Sequence, residues 1–186
     1  MNAQERSAAT HAGTSPHLAS ETAVLKDGTA LTIRPARPDD GPRIARAFAG
    51  LERDSVYTRF FSFRGAPSDA ELARLLSADF VRRALFVATV AGEADEIVVA
   101  TGRYDCPDAS GDTAEVAFAV EEDYQGKGIA GRLLARVAQA ARANGIARLE
   151  AMVLGSNASM LRVFERTGWP STRRREDDAI ILTMTL

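Results

Sequence analysis

The stretch Glu115-Val-Ala-Phe-Ala-Val-Glu-Glu-Asp-Tyr-Gln125-Gly-Lys-Gly-Ile-Ala-Gly131 constrains the fold more than any other part of the chain. A β-rich run, Thr113 to Val120, gives way to a glycine-containing turn, and the hydrophobic period then changes. From Ile129 the apolar residues Ile129, Leu133, Val137 and Ala141, with Leu134 and Ala138 beside them, fall on one helical stripe, and Arg132, Arg136 and Arg142 lie off it. A strand that feeds a helix through such a turn leaves the first helical N–H groups without partners, and the helix dipole adds positive potential there. Together they favour a phosphate, and glycines let it approach the backbone. The glycine-containing turn that opens the Ile129 helix is therefore the candidate anion-binding site.

Gly126-Lys-Gly-Ile-Ala-Gly131 satisfies the G-x-G-x-x-G pattern of dinucleotide folds, a weak signal by itself. Context argues against that ligand. The first glycine should stand at the strand end, yet Glu121, Glu122, Asp123, Tyr124 and Gln125 intervene, and few residues follow for further βα units. A purely structural glycine turn and a different pyrophosphate ligand stay open, the second being favoured.

Around this centre, Ala23 to Ile33 reads as a hairpin turned at Asp27-Gly28. Pro42 starts a helix that Asp39 or Asp40 can cap and that carries Ile44, Ala47, Phe48 and Leu51 on one face. Ser68 and Glu71 form a capping box for another helix, and Tyr57-Thr-Arg-Phe-Phe61 between the two is ambiguous. Leu85 to Val90, Ile97 to Arg103 and Thr113 to Val120 read as a strand meander. After the Ile129 helix, stopped at Asn144-Gly145, come a strand at Leu149 to Leu154, a helix from about Asn157 to Thr167 and a hairpin over Arg173 to Leu186. The order ββ, αα, βββ, α, β, α, ββ predicts an α/β (α+β) fold: a mixed, mostly antiparallel sheet flanked by helices.

At 186 residues and 46% apolar composition, we expect one folded domain over 21–186 behind a polar tail over 1–20. His11 and His17 lie in that tail without converging ligands, so no metal site is expected. The net charge of −2 gives no field for nucleic acid. No apolar run approaches a membrane span or a signal peptide, which predicts a cytoplasmic protein with no membrane partner. The lone Cys106, in Asp105-Cys-Pro-Asp with no histidine nearby in sequence, reads as a bystander thiol.

Over residues 22–186 the sequence resembles the GNAT family of acyl-CoA-dependent N-acetyltransferases. Gln125-Gly-Lys-Gly128-Ile-Ala130 matches the family's pyrophosphate loop, and Asn157 to Trp169 resembles its last helix. The resemblance implies acetyl-CoA as co-substrate, lying in a splay between the strands Thr113 to Val120 and Leu149 to Leu154. Its pantetheine arm would run along Phe118, Ala119 and Val120, pairing with backbone groups of Phe118 and Val120 like an added strand. Asn157 could bond the pantetheine amides as well as cap its helix.

Asp27-Gly-Thr, Thr32-Ile-Arg-Pro35, Asp39-Asp40 and Tyr57 to Phe61 look like the entry of bacterial protein-lysine acetyltransferase domains that modify acyl-CoA synthetases. This implies an amine acceptor, a protein lysine, with a small-molecule amine as the alternative. An ammonium must lose a proton before it attacks a thioester. By resemblance Glu115 is the general base, and alternation sets it on the same strand face as the small Ala117 and Ala119. Many family members place a tyrosine acid where Phe164 stands, beside the cofactor. The replacement leaves water, Ser159 or unassisted thiolate departure, and raises a second reading as a non-catalytic acyl-CoA-binding regulator.

Overall fold

The computed structural model describes residues 18–49, 67–107 and 111–186; His11, His17, Leu51 and the Tyr57 to Phe61 run lie outside the described residues. Its elements are β1 (Glu21–Val24), β2 (Ala30–Pro35), α1 (Gly41–Ala49), α2 (Asp69–Leu76), β3 (Arg83–Ala91), β4 (Glu96–Asp105), β5 (Thr113–Val120), α3 (Ile129–Ala143), β6 (Arg148–Leu154), α4 (Ala158–Glu165), β7 (Ser171–Glu176) and β8 (Ala179–Thr185). This is the order read from the sequence. The strands form one eight-stranded sheet ordered β1-β2-β3-β4-β5-β6-β8-β7. All neighbours are antiparallel except β5 and β6, so the expected mixed, mostly antiparallel sheet is what forms.

Helices cover both faces. Phe86, Val116, Leu149 and Met184 meet Leu133, Leu134 and Val137 of α3 on one face. Leu85, Val87 and Val98 meet Ile44 and Phe48 of α1 and Leu75 of α2 on the other. The double cover explains why β3 is almost continuously buried rather than alternating.

Two local readings change. A 3-10 turn over Pro38–Asp40 precedes α1, so Asp40 lies inside that turn rather than capping the helix. Its carboxylate accepts the Arg37 N–H at 2.7 Å and both terminal nitrogens of Arg34 at 2.7 and 2.8 Å. Arg136, off the helical stripe, is nonetheless buried, because residues 18–20 run across α3: its Nη2 donates to the Ala19 carbonyl, and Leu18 packs on the core. The Ser68–Glu71 capping box forms as read, the Glu71 carboxylate accepting the Ser68 N–H at 2.8 Å.

One irregularity of the sheet positions the site. The parallel ladder between β5 and β6 runs only from Thr113↔Arg148 through Ala114↔Leu149 to Glu115↔Glu150. Beyond that pair β5 stays with β4 as far as Val120, and β6 stays with β8 as far as Leu154. The two strands fork.

Candidate active site

The fork supplies unpaired backbone. Glu121 N–H donates to Val99 of β4, and in an antiparallel ladder alternate residues turn their N–H and C=O to opposite sides. Val116, Phe118 and Val120 therefore turn theirs away from β4, toward the gap, leaving an edge that an extended ligand can complete. On the α3 side of this edge the Phe118 ring meets Phe164 edge-on at 6.2 Å, and Phe164 is buried.

The gap opens toward the glycine turn. A 3-10 turn over Glu122–Tyr124 leads into Gln125-Gly126-Lys127-Gly128, and Gln125 Nε2 donates to the Val120 carbonyl at 3.2 Å, folding the turn back on the strand end. Gly128 precedes Ile129 with φ +86°, which non-glycine residues rarely adopt, and no side chain caps the helix there. A Cβ built at Gly126 or Gly128 meets nothing within 4 Å, so the turn borders open space. The first-turn N–H groups of α3 face that opening without intrahelical partners. Lys127 Nζ bonds the Asp27 carboxylate of the β1–β2 turn at 2.8 Å and lies 4.9 Å from the Tyr124 ring centre. The Lys127 ammonium holds the Asp27 carboxyl well below the usual carboxylate range.

Glu115 stands at the vertex of the fork. Its neighbours on the α1 side of the sheet are Ala117 and Ala119, and Ala119 packs against the core under α1. Its carboxylate is half-buried and makes no hydrogen bond or ion pair among the described residues. Burial pushes its pKa up, the nearby Glu150 and Asp105 carboxylates add to the rise, and Arg103 opposes it. A carboxylate of raised affinity, without a partner and beside small residues, is chemically able to take a proton. A cavity of about 360 Å³ lies further along this face, with Arg43, Arg46, Asp95 and Glu121 in its wall.

Asn157 caps α4, its Oδ1 accepting the Met160 N–H at 3.0 Å, and is exposed. Cys106 is buried in the core on the α3 face of the sheet, opposite Glu115. Two residues at the fork escaped the sequence reading as neighbours of the base: Asp105 and Glu150 join Glu115 only through strand register. Alternation along β4 and β6 would have put each on a face, but not in register with Glu115.

The Acetyltransferase (GNAT) family matches residues 53–169, more than half the chain, and the protein belongs to that family of enzymes. Acetyltransferase Pat of Mycolicibacterium smegmatis is 30% identical over 159 residues, covering 86% of this chain but 46% of its own length, so the chain spans about half of that relative. The GNAT domain of S. lividans PAT superposes with a TM-score of 0.78 at 34% identity, covering 90% of this chain and 97% of the domain. YncA of Salmonella typhimurium, solved with its cofactor acetyl-CoA, shares the fold with a TM-score of 0.65 at 22% identity over 84% of this chain and 92% of its own.

Proposed function

We propose that this enzyme moves an acetyl group from acetyl-CoA to an amine, the acceptor being a protein lysine, with Glu115 as general base. The observation that carries the reading is the continuity of three features: an open glycine turn at a helix start, an unpaired strand edge, and an unpartnered carboxylate where the two strands part. The residues present fit the co-substrate. In this reading the N–H groups around Gln125, Gly126, Lys127, Gly128, Ile129 and Ala130 hold the pyrophosphate, with the Lys127 cation at its edge. Phe118 and the Val120 N–H present the edge to the pantetheine amides, with Ala119 between them turning its backbone to β4, the Asn157 amide nitrogen is left to bond them, and the Phe118 and Phe164 rings floor the slot.

When bound, acetyl-CoA supplies a thioester carbon open to a nucleophile. The protein's tasks are then to hold the acceptor ammonium near Glu115, to take its proton, and to keep the amine in line from the α1 face, where Ala117 and Ala119 leave room. An ordinary lysine ammonium titrates near ~10.4, so at neutral pH almost none is nucleophilic without such an acceptor. Phe164 has no proton to give, so the thiolate departs with solvent or without assistance. Likeness to Acetyltransferase Pat of M. smegmatis and to the GNAT domain of S. lividans PAT supports acetyl transfer, the acetyl-CoA held by YncA supports the co-substrate, and the protein-lysine acceptor rests on the resemblance of the N-terminal motifs. Residues 21–186 act as one catalytic unit in this proposal.

Gly128→Asp tests the phosphate loop: it sets a carboxylate where the pyrophosphate must approach, in space that is otherwise open. Calorimetry should show acetyl-CoA affinity falling more than tenfold while the circular dichroism spectrum is retained. Binding within threefold of the wild type would remove the pyrophosphate assignment.

A further inference from the structure

Glu115 belongs to a row of side chains that crosses the sheet. The register pairs Asp105 of β4 with Glu115, Glu115 with Glu150 of β6, and Glu150 with Thr183 of β8. All four lie on the α1 side, because their chain neighbours Tyr104, Ala114, Leu149 and Leu182 belong to the α3-side core. Side chains paired across adjacent strands stand about 5 Å apart at Cβ, close enough for three carboxylates to feel one another.

The two acids flanking Glu115 are not equivalent. The Arg74 guanidinium of α2 lies 3.5 Å from the Asp105 carboxylate, so that charge is largely balanced. Glu150 meets a neutral partner instead: the Thr183 hydroxyl donates to its Oε2 at 3.3 Å, and no cation forms an ion pair with it among the described residues. Arg148, two residues back on β6, turns its guanidinium to the Thr113 hydroxyl at 3.0 Å. Arg103, on the same face of β4, is the cation acting on Glu115. Burial and Arg74 draw the Arg103 guanidinium down to about 10, opposed by Asp105 and Glu115.

We propose that Glu150 is a positioning residue for the proton transfer: fixed beside Glu115 by the last parallel strand pair and by Thr183, its negative charge keeps Glu115 a stronger base than a lone strand-end carboxylate. This rests on the reading of Glu115 as the base. Glu150 acts through Glu115 and takes no proton from the acceptor. A like charge beside a carboxylate favours its protonated form, so removing that charge lowers the pH at which Glu115 ionises and weakens it as a base.

The test follows the Glu115 side-chain carboxyl carbon by NMR titration of the free protein, together with the pH profile of kcat/KM, in the wild type, Glu150→Gln, Glu150→Asp and Asp105→Asn. In Glu150→Gln we expect the Glu115 midpoint and the acid limb of kcat/KM to move down together by about 0.5–1 pH unit. Glu150→Asp, which keeps the charge, should stay close to the wild type, and Asp105→Asn should move the midpoint less. The acceptor's own ionisation is common to all variants, and thermal melts establish that each is folded. A Glu115 midpoint and acid limb unmoved in Glu150→Gln would overturn the inference and leave the base reading standing. Full turnover in Glu115→Gln would instead remove the base reading itself. If Glu150→Gln abolished turnover and Glu115→Gln did not, Glu150 would be the proton acceptor and the inference would be wrong.

Discussion

A carboxylate that can catalyse is held at a cost to the fold, and Glu115 shows both sides of that exchange. Burial, then Glu150 and Asp105, raise its proton affinity above the ordinary carboxylate value. The stability tied to that rise is present below the ordinary value and is lost as pH climbs through the raised one. At neutral pH the charged form is therefore a burden, which an isosteric amide lacks. We expect Glu115→Gln to melt at the same or a higher temperature than the wild type at pH 7, while kcat falls by roughly 10²–10⁴ and acetyl-CoA affinity is kept. Differential scanning calorimetry and steady-state rates check the two halves separately. Much at this scale was legible: strand alternation placed Glu115 with Ala117 and Ala119. Its acid neighbours were not, since register joins residues that pattern along one strand cannot see. Arg136 was misplaced for a related reason, as the segment that buries it belongs to another part of the chain.

Among elements, the period change at Ile129, the turn glycines and the Ser68–Glu71 box were all readable, because each is a local signal whose physics needs no partner. The fork was implied by family resemblance alone, and its geometry depends on a close approach at Gly102. A Cβ there would stand 3.0 Å from the Phe118 ring and 3.1 Å from Leu133 Cβ, tighter than nearly all packed Cβ contacts, so a neighbour must give by a few tenths of an ångström. Gly102→Ala must shift Phe118, and with it the edge contact to Phe164. We expect a loss of roughly 1–3 kcal/mol in urea unfolding, the usual result of overpacking, together with weaker acetyl-CoA binding. Gly128→Ala should behave differently. Its Cβ meets open space, so the expected cost is the left-handed backbone alone, roughly 1–2 kcal/mol in the same measurement.

For the whole molecule, the buried ions of Arg34 and Asp40 tie β2 to the start of α1, and Glu96 extends the link to β4. Burial pushes the Asp40 carboxyl up, but the Arg34 guanidinium and the Arg37 N–H outweigh it and leave it below the usual range. Arg34 likewise lowers Glu96, against its burial. Both carboxylates thus contribute stability above their ordinary values that is lost as pH falls through their lowered ones. The melting temperature should hold near neutrality and drop as the solution is acidified through the carboxylate range. Asp40→Ala strips two hydrogen bonds from the buried Arg34 guanidinium and leaves Glu96 as its carboxylate partner, so it should cost roughly 1–3 kcal/mol in chemical unfolding.

Acetyl transfer itself is tested most directly by incubating the enzyme with isotope-labelled acetyl-CoA and a native lysate, followed by mass spectrometry of intact proteins, peptides and small amines. We expect labelled acetyl groups on protein lysines with the wild type, and a strongly reduced yield with Glu115→Gln under the same conditions. Labelled CoA thioester consumed without any labelled amine, or identical labelling by Glu115→Gln, would contradict the proposed transfer by a glutamate base at the strand fork.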